Sequence, residues 1–98
     1  MKYDIGTHKL RLTRALLGVI SPNFRRVSIE IGQHEELKII VILEHYDEQD
    51  LDEIEDLCAE FEALYETSID VDTDVNITDE LLPPLDPAAH TVFMRREF

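Results

Sequence analysis

Residues 36–46 read ELKIIVILEHY, and this stretch governs the fold. In an extended chain Leu37, Ile39, Val41 and Leu43 share one face, and Ile40 and Ile42 make the opposite face apolar too. A strand with two apolar faces belongs in the centre of a sheet. The rest of the chain has to be arranged around it.

The segment before it, FRRVSIEIG, alternates. Val27, Ile29 and Ile31 lie on one face and Arg26, Ser28 and Glu30 on the other, the pattern of a half-buried strand. Gly32 to Glu35 turn the chain between the two strands. Further upstream, the spacing predicts a helix from about Thr7 to Leu17. Leu10, Leu12, Leu16, Leu17 and Val19 supply its apolar stripe and Gly18 its stop, although the alternation around Leu10 and Leu12 also permits a strand start. Ser21-Pro22-Asn23 is turn chemistry.

Residues 47–66 carry the strongest helical signal. Leu51, Ile54, Leu57, Cys58, Phe61, Leu64 and Tyr65 recur at three- and four-residue steps, and Asp50 with Glu53 has capping-box spacing. SIDVDTDVNITDE, residues 68–80, then alternates again, with Ile69, Val71, Val75 and Ile77 facing inward. Pro83, Pro84 and Pro87 mark a loop before a last strand in HTVFMRREF. The order αββαββ predicts an α+β two-layer sandwich: a four-stranded mixed sheet with two helices on one face. The strands flanking the long helix run parallel if they share the sheet. Pattern alone does not set the strand order. The expectation is a single domain over residues 1–98.

Charge narrows the function. Residues 1–38 hold seven Lys or Arg against four Asp or Glu, whereas residues 39–94 hold 17 carboxylates and no Lys or Arg, within a net charge of −13. Such a field repels nucleic acid and anionic lipid and attracts cationic partners. The single Cys58 forms no internal disulfide and suits a reducing compartment. The N-terminus lacks the apolar core of a secretion signal, and no apolar run approaches the roughly 20 residues of a membrane span. The expected location is the cytoplasm.

Two acidic surfaces are candidate sites. The solvent face of the long helix carries Glu48, Asp52, Glu53, Asp56 and Glu60, with like charges four residues apart that each cost about 0.2–0.5 kcal/mol. A solvated helix ordinarily mixes signs; this one does not. The second surface is Asp70, Asp72 and Asp74, spaced about 6.5–7 Å apart on one strand face. As a calcium loop the strand fails, because Val75 occupies the position that needs Gly and Leu81 the one that needs Glu. Two compatible readings are left: charge guarding an edge strand, and a row of acceptors for a partner's Lys and Arg. No catalytic constellation or cofactor site is expected. Cys58 lies in an apolar stripe, and His8, His34, His45 and His90 are scattered, each expected at the surface or in a cap. Arg25, Arg26, Arg95 and Arg96 are expected to pair with internal carboxylates.

RALLGVISPNFRRVSIEI carries a resemblance. Leu16-Leu17-Gly18, then Ser21-Pro22-Asn23 leading into Arg25 or Arg26 and Val27-Ser28, is similar to small bacterial immunity proteins of contact-dependent growth inhibition and related polymorphic-toxin systems. The hairpin, the acidic helix after it and the closing Arg95-Arg96 fit the same pattern, from about Leu12 onward. The resemblance implies a non-enzymatic antitoxin that binds and blocks the C-terminal domain of a cognate toxin, often a basic nuclease. It assigns no contact residues. Two other readings need the same acidic surface or sheet edge: a phosphate-mimicking inhibitor of a DNA-binding or restriction-type protein, and a plain interaction adaptor.

Overall fold

The computed structural model describes residues 3–97. Six elements follow in the order α1 (Ile5–Ala15), β1 (Phe24–Ile31), β2 (Leu37–Leu43), α2 (Glu48–Ala63), β3 (Val71–Ile77) and β4 (Ala89–Met94). They form the α+β sandwich expected from the sequence. The sheet order is β3-β2-β1-β4, with β2 central, β1–β2 and β1–β4 antiparallel, and β2–β3 parallel.

The core lies between helices and sheet. Leu12, Ala15 and Leu16 from α1, and Ile54, Leu57 and Phe61 from α2, pack on Val27, Ile29, Ile39 and Val41. The start of α1 and the cap of α2 differ from what pattern alone placed. The Asp4 carboxylate accepts the Thr7 backbone N–H at 2.8 Å, so α1 begins at Ile5 and not Thr7. Asp47, not Asp50, caps α2, accepting the Asp50 N–H at 3.0 Å. An Asp three residues ahead of a free N–H satisfies one of the four donors a helix start leaves open, whatever the apolar period says. Leu10 and Leu17 do not join the stripe of α1 and are 65% and 77% exposed. Gly18, at φ +83°, carries the chain out of the helix.

Two further expectations are corrected. Strand β1 is buried on both faces: Arg26 and Ser28 are 6% and 1% exposed. The cause is topological. β3 ends level with the start of β1 but across β2, at one edge of the sheet, and β4 begins beside the end of β1, at the opposite edge. Residues 78–88 must therefore span a diagonal of roughly 25 Å by ordinary strand spacing and rise. With the helices on the other face, the direct path for this segment runs across the helix-free one, on the side of the sheet that holds the buried Arg26, Ser28 and Ile42. On β3, Val71, Thr73 and Val75 turn toward the core, while Ile77, on the same face at the strand's end, is 44% exposed. No helix among the described residues is long and apolar enough to cross a membrane.

Candidate functional site

Along α2 the outward residues Glu48, Asp52, Asp56 and Glu60 are exposed and follow one another at steps of four, about 6 Å of helix rise each. Glu53 is half-buried at the side of this row. On β3, Asp72 and Asp74 are exposed on the helix-free face, in register with Lys38 and Ile40 of β2. Asp70 is exposed just before the strand, and its carbonyl accepts the Leu37 N–H at 2.8 Å. These residues do not form one cluster. Because α2 packs on β3 and β3 is an edge strand, the helix row and the strand row flank the same edge of the molecule from two sides.

Two cationic side chains, Arg25 and Arg95, are committed elsewhere. Arg25 grips Glu97 in a two-pronged pair, Nε to Oε2 at 2.8 Å and Nη2 to Oε1 at 2.7 Å, while its Nη1 donates to the Thr78 carbonyl at 2.6 Å. Arg95 donates to Glu44 at 2.7 Å, to Glu97 at 3.0 Å and to the Pro22 carbonyl at 2.8 Å. The Arg25 guanidinium, with Arg95 beside it, holds the Glu97 carboxyl down at about 2. This network ties the C-terminal segment to the ends of β1 and β2 and to the start of the 78–88 crossing. Internal pairing was legible for Arg25 and Arg95, but Glu44 and Glu97 were not, since the sequence offers 22 carboxylates to choose from. Arg26 departs from the expectation: it is buried, and its Nε lacks a hydrogen-bond partner.

Histidine and cysteine also differ from the sequence reading. His8 is buried, not a surface or capping residue; its Nδ1 is hydrogen-bonded to the Tyr65 hydroxyl. The Arg11 guanidinium lies over the Tyr65 ring at 4.4 Å and the Tyr3 ring at 4.9 Å. Burial, and then the Arg11 charge, push the His8 imidazole below its ordinary value. Its position three residues after Ile5 on the helix, facing Tyr65 from a distant part of the chain, left no local signal. Cys58 is half-buried and not fully enclosed, 3.7 Å from Glu62 Oε1, and burial raises its thiol pKa. Among the described residues no group of three or more His, Cys, Asp or Glu is arranged to hold a metal ion.

A cleft of about 630 Å³ opens between the α1–β1 turn and the start of α2, lined on one side by Val19, Ile20 and Pro22 and on the other by Glu44, Asp50 and Glu53. Its walls come from segments far apart in the chain, so no local pattern announces it.

No curated protein matches the chain. A family model described as MafI2 immunity protein matches residues 7–97, which takes in all four strands, the whole of α2 and most of α1. That match spans nearly the full chain, and with it the protein belongs to the MafI2 immunity protein family.

Proposed function

We propose that this chain, acting as one immunity-type domain, neutralises its cognate toxin by binding the toxin's C-terminal domain through the acidic edge of the sandwich. The contact residues in this reading are Glu48, Asp52, Glu53, Asp56 and Glu60 on α2, with Asp70, Asp72 and Asp74 at β3. The toxin domain is basic, as a nuclease that binds phosphate has to be, and the encounter takes place in the cytoplasm. The protein acts by occupancy, without catalysis or a cofactor.

The observation that carries this reading is the pairing of an immunity-protein family with a 39–94 segment whose 17 carboxylates meet no Lys or Arg of their own segment. Like charges on α2 and β3 cost folding free energy, and a cationic partner turns that cost into attraction. Complementary fields also raise the association rate, which matters for an inhibitor that must find a toxin before the toxin finds its substrate.

The test is co-expression with the toxin encoded beside it, followed by purification of the complex and a growth assay. Stable co-purification with the toxin's C-terminal domain and rescue of growth are expected. Rescue without any physical complex would overturn the reading. Inhibition of several unrelated DNA-binding proteins by the purified chain would favour phosphate mimicry instead.

A further inference from the structure

Asp50 stands apart from the other carboxylates of α2. It is only 7% exposed, and its Oδ2 accepts one hydrogen bond, from Asn23 Nδ2 at 2.9 Å. Among the described residues no Lys or Arg forms an ion pair with it; the salt bridges of Arg25 and Arg95 go to Glu97 and Glu44. A buried carboxylate is satisfied by hydrogen bonds, by a helix N-terminus or by a counter-charge, and here the first two are present and the third is open to a partner. Asp50 lines the 630 Å³ cleft, and so does Glu53.

The cleft is held open in a defined shape. Asn23 fixes one wall to the other: its Nδ2 also donates to the His45 carbonyl at 2.8 Å, and its Oδ1 accepts the His45 N–H at 2.8 Å. The opposite wall is apolar, made by Val19 and by Ile20 and Pro22, both exposed. No Lys or Arg lines the cavity. An anion is disfavoured there, since Asp47 already caps the helix and the remaining acids repel it.

We infer that the cleft between the α1–β1 turn and the start of α2 is the anchor pocket for a Lys or Arg side chain presented by the toxin domain. The aliphatic stem of that side chain lies along Val19, Ile20 and Pro22, and its charged head reaches Asp50 and Glu53. Long basic side chains combine an apolar stem with a cationic head, which matches the two walls. A buried charged anchor of this kind acts mainly on the lifetime of a complex, whereas the open acidic edge acts on its rate of formation. The inference rests on the toxin-binding reading above and adds to the acidic edge a pocket at the start of α2, which shares Glu53 with it.

The experiment measures binding of the purified C-terminal domain of the cognate toxin to the full chain and to three variants, with melting temperatures recorded beside. Glu53→Lys and Ile20→Ser should each weaken binding at least tenfold, chiefly through faster dissociation. Asp86→Lys, a charge reversal equal to that of Glu53→Lys but on the 78–88 crossing, should change it less than threefold. Wild-type binding with Ile20→Ser unchanged would overturn the anchor pocket, whatever Glu53→Lys does, because Glu53 also belongs to the acidic edge; the toxin-binding reading would stand. Failure of the wild-type chain to bind the toxin domain would overturn both.

Discussion

His8 on α1 and Tyr65, just past the end of α2, are joined through Nδ1 and the phenol hydroxyl, and Arg11 lies against the same tyrosine ring. The pair is enclosed where the two helices meet, so it links them by more than apolar contact. Burial keeps this histidine neutral: its pKa is pushed below the ordinary 6.5. A group with a lowered basic pKa binds fewer protons folded than unfolded, so stability rises with pH through its window. The contribution is fully present above 6.5 and is lost progressively as the pH falls below it. Denaturation midpoints measured from pH 7.5 down to 5 should decline, and His8→Phe should flatten that decline. Tyr65→Phe, which leaves the buried Nδ1 without its partner, should cost about 1–3 kcal/mol at neutral pH.

Glu97 titrates in a different window. Its carboxyl, held at about 2 by Arg25 and then Arg95, binds fewer protons in the folded state than in the unfolded one. Its contribution is intact above the ordinary 4.5 and fades as the pH falls toward 2. Glu97→Gln should therefore lower the melting temperature at pH 7 and make little difference near pH 2. The same substitution leaves Arg25, whose side chain is 6% exposed, without its two-pronged partner. Loosening of the C-terminal segment should follow, read as faster amide exchange at Arg95, whose N–H donates to the Arg25 carbonyl at 2.9 Å.

Gly18 isolates backbone strain from packing. At φ +83° it sits where side chains clash with their own backbone, yet an added Cβ would meet nothing within 4 Å. Gly18→Ala should cost about 1–2 kcal/mol, from conformation alone. A neutral result in urea denaturation would mean that the turn after α1 relaxes into another shape.

The division between what could and could not be read from the sequence follows the range of the interactions. Strand β2 was legible because seven consecutive residues carry the pattern, and α2 because its stripe repeats over four turns. The parallel β2–β3 pair followed from the helix between them. What failed was long-range. Arg26 and Ser28 read as solvent-facing because the alternation of β1 marks only one apolar face, and nothing near it in sequence says that the other is buried as well. His8 read as a surface residue because its partner is 57 positions away. The acidic rows were visible as composition and period, but that they flank one edge depends on β3 lying outermost, and the strand order was not derivable. The cleft lined by Asp50 and Ile20 needed two distant segments, 18–23 and 44–53, to be brought together.

The acidic edge yields a paired prediction. In Asp52→Lys/Asp56→Lys, two repulsive pairs on α2, Glu48–Asp52 and Asp56–Glu60, become attractive while the pair at 52 and 56 stays like-charged, and the free protein should gain up to about 1 kcal/mol. Reversing Asp70, Asp72 and Asp74 is less clear-cut in benefit, because the Asp72 carboxylate accepts the Thr73 N–H at 2.9 Å and that bond is lost. Stability there should stay near the wild-type value. Binding to the cognate toxin domain should respond in the opposite sense. Where these carboxylates steer the encounter, each reversal slows association, and rising salt slows the wild-type protein toward the same rate. Where a pair is desolvated in the complex, dissociation speeds up and the loss reaches about 2–5 kcal/mol. Thermal unfolding of each free variant beside its binding kinetics separates these terms. If both sets of reversals leave association, dissociation and salt dependence unchanged, the carboxylates serve solubility and edge protection only, and the contact with the toxin lies elsewhere on the molecule.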